Sequence, residues 1–213
     1  MIRNLIFDMG GVILPMQSIE EPMRRFAQLG LTRNQAEQCF GLYGQQGIFR
    51  EAETGERSAE AFLEAYRELT GRATTFDEVS WAWLGFVHEP PVERLHELDR
   101  LRGEGYHVAL LSNTNPFIMR HCESPAFSPL GKGIASHFDR LFYSYRLGAC
   151  KPDPSAFERM LQQGGYVAAE SLFLDDAMHN VEAARALGMH ALHVPENRDW
   201  AQPLRRYLAE FGR

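Results

Sequence analysis

A ten-residue run near the start of the chain, Leu5-Ile6-Phe7-Asp8-Met9-Gly10-Gly11-Val12-Ile13-Leu14, does most to restrict the fold. Ile2, Leu5, Ile6 and Phe7 are bulky and mostly strand-favouring, so the run reads as a buried strand. Asp8 then puts a charge at the C-terminal end of that strand. Gly10 and Gly11 let the backbone turn sharply and approach a ligand closely. In an open parallel sheet this end of a strand is where ligands bind. Taken alone, Asp8 reads equally well as a turn aspartate that caps the next segment.

Between about Ser18 and Gly85 the pattern is helical and shows no good strand. Ile19, Met23, Phe26, Ala27 and Leu29 have helical spacing, with Ser18 as the expected N-cap and Gly30 as the stop. Thr32 and Ser58 begin further helices, Gly71 ends one, and another carrying Trp81, Leu84 and Phe86 begins near Thr75. From Pro90 the chain alternates. Val92, Leu95, Leu98 and Leu101 mark a helix that stops at Gly103 and Gly105. Strands are expected at 107–111, 139–144, 171–174 and 190–194, with helices through Phe157, through Val181 and from Arg198 to Phe211. The stretch to Phe138 reads as loose. This alternation predicts an α/β fold with a parallel sheet, and the helical block reads as a small bundle inserted after the first strand.

The totals narrow the function. With 213 residues the chain forms one large domain or a core with a smaller inserted one. A net charge of -6 provides no general basic field for nucleic acid or an anionic membrane. No apolar run is long enough to span a bilayer. Cys39, Cys122 and Cys150 are scattered without a CxxC pair, which fits a reducing compartment, and no cleavable leader is evident. A cytoplasmic location is the expectation.

Four predicted strand ends or adjoining loops carry polar groups: Asp8, Ser112-Asn113, Lys151 and Asp175-Asp176. Parallel strands place their C-terminal ends on one edge, so these groups can converge there. The set suits phosphoryl transfer. Asp8 can attack phosphorus to form an aspartyl phosphate. Neighbouring carboxylates call for a cation, and oxygen-only ligands favour magnesium. Ser112 and Lys151 can hold phosphate oxygens, and Lys151 is expected to keep Asp8 ionised. Each piece also has a plain structural reading: Ser112-Asn113-Thr114 and Asp175-Asp176 as helix N-caps, Lys151 as a solvated loop lysine. The order and strand-end placement of all four favour the site.

These segments, Leu5 to Val12, Leu111-Ser112-Asn113-Thr114, Lys151-Pro152 and Phe173-Leu174-Asp175-Asp176 through Asn180, resemble the haloacid-dehalogenase superfamily, whose members are mostly aspartate-nucleophile phosphatases. The resemblance covers essentially the whole chain. It implies a Rossmann-like core at residues 1–15 and 88–213 and a helical cap at 16–87. It also implies Asp8 as nucleophile, Ser112, Asn113 and Lys151 as phosphate-binding residues, and a Mg²⁺ site of Asp8, the Gly10 backbone carbonyl, Asp176 and Asp175, with Asp176 the more direct ligand of the acidic pair. One position departs from the pattern. Most phosphatases of the family carry an acid/base aspartate two residues after the nucleophile, and here that residue is Gly10. The variant is similar to an Asp-x-Gly-(Gly/Asn)-Val subgroup that includes sugar-1-phosphate phosphatases, and resembles the N-terminal domain of soluble epoxide hydrolases. Losing a general acid typically costs roughly 10²–10⁴ in rate.

The resulting expectation is a Mg²⁺-dependent phosphatase of a small phosphorylated metabolite, with sugar phosphates among the candidates, acting as a monomer or homodimer. The alternatives are a non-catalytic or very slow phosphate-binding member of the fold, which Gly10 favours, and a metal-independent dehalogenase, which Asp175-Asp176 disfavours. Within the cap, Glu53, Arg57, Tyr43 and Gln46 are candidates for facing the leaving group, against a reading as plain helix surface. Asn115 and Asn180 are expected just behind the site, and His179 on the surface.

Overall fold

The computed structural model describes residues 1–41 and 44–211. Tyr43 lies outside the described residues. Strand β1 (Asn4–Phe7) is followed by a helical block of α1 (Glu20–Gln28), α2 (Arg33–Cys39), a hairpin of β2 (Phe40–Gly41) and β3 (Gly44–Gln45), α3 (Gly47–Thr54), α4 (Ala59–Thr70) and α5 (Phe76–Trp83). The alternating part then runs α6 (Val92–Gly103), β4 (His107–Ser112), α7 (Pro116–Cys122), β5 (Arg140–Tyr143), α8 (Ser144–Leu147), α9 (Pro154–Gly164), β6 (Ser171–Asp175), α10 (Met178–Ala186), β7 (His190–His193) and α11 (Ala201–Phe211). No helix among the described residues is long and apolar enough to cross a membrane.

The main sheet is parallel, in the order β5-β4-β1-β6-β7. β1 therefore lies at the centre, paired on one side with β4 and on the other with β6. Chain order runs outward through β4 and β5, then crosses back to β6 and β7. The crevice at such a reversal opens at the C-terminal ends of the strands. Both faces of β1 are covered. Leu5 and Phe7 pack into the cluster containing Leu95, Leu98, Trp200 and Leu204, whereas Ile6 joins Phe157, Phe173, Val181 and Ala184 on the opposite face. Burial on both sides explains why the strand is a continuous apolar run rather than an alternating one.

The helical block has its own aromatic centre. Phe49 is fully buried, with ring centroids 5.1 Å from Phe26, 4.9 Å from Phe40 and 5.4 Å from Trp83. Trp83 is core, whereas Trp81 is exposed with the Arg25 guanidinium over its ring.

Several local expectations change. Ser18 does not cap α1 with its side chain; Ile19 occupies the N-cap position, and Ser18 offers its carbonyl to Glu21 N–H at 3.3 Å. Thr32 and Thr75 close full capping boxes with Gln35 and Glu78. The loose stretch before Phe138 contains α7, whose start is fixed by Asn115: its Oδ1 accepts from Phe117 N–H at 3.1 Å and Ile118 N–H at 3.2 Å, with Pro116 in the first turn. The expected strand-free block holds the short β2–β3 hairpin, which carries Gln45.

Candidate active site

β1 registers Phe7 against Leu110 of β4 and Leu174 of β6, and Asp8 N–H donates to Leu174 O at 2.9 Å. Asp8 thus sits one step beyond β1, between the end of β4 at Ser112 and the end of β6 at Asp175. The turn that follows is closed by Leu14 N–H to Met9 O and Gly11 N–H to Leu14 O, both 2.8 Å, which leaves the Gly10 carbonyl out of these bonds. Gly11 has φ 72°, and a Cβ there would stand 2.3 Å from Asp176 Oδ2. Only glycine satisfies both the backbone conformation and the close approach.

Lys151 Nζ lies 2.7 Å from Asp8 Oδ1 and 2.7 Å from Asp175 Oδ2, and Lys151 is only 3% exposed. Asp8 Oδ1 also accepts the Met9 N–H at 2.7 Å. Oδ2 of Asp8 has no hydrogen-bond partner among the described residues. Asp175 is fully buried and fully engaged: besides Lys151, it accepts from Ala177 N–H at 2.8 Å and from Asn180 Nδ2 at 3.0 Å. Its neighbour Asp176 is half-buried and shares the cavity with Asp8. One oxygen from each of Asp8, Asp175 and Asp176 lies within 4.8 Å of the others. Three carboxylates face one ammonium, and all the ligand atoms are oxygens, which fits a hard divalent cation.

Electrostatics follow from that crowding. Burial, with help from Asp175 and Asp176, pushes Asp8 up to about 7, against the opposing pull of Lys151. Lys151 acts on Asp8 in the expected direction, favouring the ionised form, and desolvation and two like charges work against it. Burial and Asp175 raise Asp176 to about 6. Burial works against the Lys151 ammonium too, but Asp175 and Asp8 together outweigh it and hold it protonated.

Asn113 clamps the loop that carries the lysine. Its Oδ1 accepts Lys151 N–H and its Nδ2 donates to Lys151 O, both at 2.8 Å. Ser112 is buried with its hydroxyl 3.3 Å from Asn113 O, and its side chain lines the cavity. Asn180 reaches Asp175, while Asn115 caps α7 instead. Arg57 turns away and pairs with Glu51 at 2.6 Å.

The cavity that Asp8 lines, about 210 Å³, is also lined by Gln45, Glu53, Trp83 and Phe86 of the helical block. An outer recess adds Gln46, Arg50 and His179. Glu53 is buried, and burial pushes it up to about 7, with Arg50 opposing. Gln45 carries a buried Oε1 without a partner among the described residues. Gln45 carries little signal in the sequence beyond its place in a Gln45-Gln46 pair between Gly44 and Gly47, and was not among the expected site residues.

A family model of haloacid dehalogenase-like hydrolases matches residues 2–188. The chain is 39% identical over 204 residues to D-ribitol-5-phosphate phosphatase of Bacteroides thetaiotaomicron, covering 96% of this chain and 97% of that protein. Among solved structures it is similar to a HAD-like family hydrolase of Porphyromonas gingivalis, with 35% identity, a TM-score of 0.89 and 98% of each chain covered. It is also similar to a HAD family enzyme of Bacteroides thetaiotaomicron in complex with magnesium and inorganic phosphate. That structure has 29% identity and a TM-score of 0.83, over 96% of this chain and 100% of the other.

Proposed function

The chain belongs to the haloacid dehalogenase-like hydrolase family, and on that premise we propose that it is a Mg²⁺-dependent phosphatase of small phosphorylated metabolites of the sugar and sugar-alcohol class. The observation that carries this reading is Asp8 itself. Asp8 lines the cavity, with Oδ1 held by Lys151 and the Met9 N–H and Oδ2 without a hydrogen-bond partner among the described residues. The substrate class is supported by the D-ribitol-5-phosphate phosphatase relative and by a polar recess of Gln46, Arg50 and His179 beyond the cavity.

Asp8, the Gly10 carbonyl and Asp176 would hold the metal, with Asp175 beside them bound to Lys151. When bound, Mg²⁺ supplies positive charge that offsets the clustered carboxylates and the incoming phosphate. Lys151 and Ser112 bind phosphoryl oxygens, and Asn113 positions Lys151 through its backbone. Asp8 attacks phosphorus, the bond to the leaving oxygen breaks, and the aspartyl phosphate is then hydrolysed. The helical block of residues 16–87 acts as the cap that excludes bulk water from this step. A dehalogenase is disfavoured because Asp176 beside Asp8 would repel the nucleophile without a cation.

The test is hydrolysis of para-nitrophenyl phosphate and a panel of sugar and polyol phosphates, with Mg²⁺, with EDTA, and with Asp8→Asn. Activity that requires both metal and Asp8 is the expected result. A folded protein with no turnover above the Asp8→Asn background would favour a phosphate-binding member without catalysis.

A further inference from the structure

Resting on the phosphatase reading, we propose that Glu53, contributed by the helical block, is the general acid and base of the reaction, in place of the side chain that Gly10 lacks. The reaction needs a proton donor for the leaving oxygen and a proton acceptor for the hydrolytic water. No group at position 10 can serve. A Cβ on Gly10 would meet Met16 Sδ at 2.9 Å, so a thioether covers that side of the turn. Met16 is itself fixed through both of its backbone polar groups: its N–H donates to Asn197 Oδ1 at 2.6 Å, and Asn197 Nδ2 donates to its carbonyl at 3.1 Å.

The titratable residues lining the cavity are Asp8, Asp176, Lys151 and Glu53. Asp8 is the nucleophile, Asp176 belongs to the metal site, and Lys151 is locked between Asp8 and Asp175. Glu53 remains. Its side chain is 8% exposed, and its carboxyl has no hydrogen-bond or ion-pair partner among the described residues. A carboxyl on so little-exposed a residue and without a partner is costly to ionise, and Glu53 lines the same cavity as the nucleophile.

Its position is set by the core rather than by the helical block alone. Gly55 ends α3 with φ 77°, and a Cβ there would lie 2.1 Å from the Tyr145 carbonyl, so the helix end rests directly on core backbone. Cys150 Sγ donates to the Glu53 carbonyl at 3.5 Å, one residue before Lys151. Glu53 is thereby held in register with the phosphate-binding lysine. The charged and titratable groups around it are Arg50 on its own helix, Asp8, Asp176, Lys151 and Cys150 from the core, and His179 at the outer recess. Burial raises its pKa to about 7, where it can donate and accept at neutral pH.

The proton balance closes over one turnover. Asp8 Oδ2 bonds to phosphorus, the bond from phosphorus to the leaving oxygen breaks, and that oxygen takes the Glu53 proton. The Glu53 carboxylate then removes a proton from water as the water oxygen bonds to phosphorus. The Asp8–phosphorus bond breaks with its electron pair returning to Asp8, and Glu53 is again protonated.

The test compares wild type and Glu53→Gln, both with Mg²⁺, on para-nitrophenyl phosphate, phenyl phosphate and D-ribitol 5-phosphate. For the two poor leaving groups, kcat/KM should fall by about 10²–10⁴, while for para-nitrophenyl phosphate it should stay within about tenfold. The variant should also release a burst of about one equivalent of para-nitrophenolate before slow turnover, because the aspartyl phosphate forms without an acid but lacks a base for breakdown. A loss by the same factor on all three substrates, or no loss, overturns the proposal. A steepened leaving-group dependence with no burst removes the base role and leaves the acid role. If wild type itself gives nothing above Asp8→Asn, the phosphatase reading fails instead.

Discussion

Glu53→Gln should gain stability relative to wild type as pH rises. The Glu53 carboxyl stands at about 7 in the folded chain against 4.5 for an unhindered glutamate. A pKa unit corresponds to about 1.4 kcal/mol, so ionised Glu53 is disfavoured in the folded state by about 3 kcal/mol. The sign follows from linkage. The folded state binds this proton more tightly than the unfolded state, so the penalty is absent below about 4.5, grows as pH rises, and is complete above about 7. Glutamine carries no charge and escapes it. Asp8 and Asp176 are common to both proteins, so their own titrations cancel in the difference. Urea denaturation in EDTA at pH 4.5 and pH 8 should therefore give a variant-minus-wild-type stability that rises by about 3 kcal/mol between the two. For a chain of this length that is about 6–12 °C in Tm at pH 8. Any pH-independent offset from the new amide drops out. A difference that is the same at both pH values would show that the Glu53 carboxyl is as well solvated as in the unfolded chain, and the burial argument would fail.

Two further outcomes test the core half of the site. Lys151→Met should lose about 3–5 kcal/mol at neutral pH, because Asp8 and Asp175 are left buried without their shared cation; a urea midpoint equal to wild type would contradict the geometry. Mg²⁺ should raise Tm by about 5–10 °C at pH 8 when present at about 100-fold its Kd, and by much less at pH 5. Asp8 at about 7 and Asp176 at about 6 hold protons at the lower pH, and the ion must displace them; equal shifts at both pH values would place the ion elsewhere.

The central strands β1, β4 and β6 were legible because each is built on a short apolar run ended by a polar residue, as expected of strands covered on both faces. Sheet order was not. Nothing in Ser171 to Leu174 says that it lies beside β1 rather than at an edge; that depends on long-range register between Phe7 and Leu174. α7 escaped because a helix of seven residues is too short for the spacing of Phe117, Ile118, Met119 and Cys122 to stand out. Its one local signal was Asn115 followed by Pro116, a good N-cap with proline in the first turn. The β2–β3 hairpin is too short, at two residues per strand, for alternation to register.

The site divides along the same line. Asp8, Ser112, Lys151, Asp175 and Asp176 could be proposed from the chain because strand ends converge in a parallel sheet whatever the side chains do. What each carboxylate does could not be, since Asp175 differs from Asp176 only in what surrounds it: Lys151, Ala177 N–H and Asn180 consume the first and leave the second facing the cavity. Glu53 is the sharper case. In sequence it is one of several acids, Glu51, Glu53 and Glu56, spaced along a helix and its end. Glu51 pairs with Arg57, and Glu56 is exposed. Glu53 shares the buried face of α3 with Phe49 and Ala52, and Gly55 lets that helix end rest on the Tyr145 carbonyl, because a side chain at position 55 would hold the end of α3 away from the core. The glycine and the glutamate two residues before it therefore act together: the missing Cβ lets the helix end rest on core backbone, and the buried face of the helix carries Glu53 to the cavity that Asp8 lines.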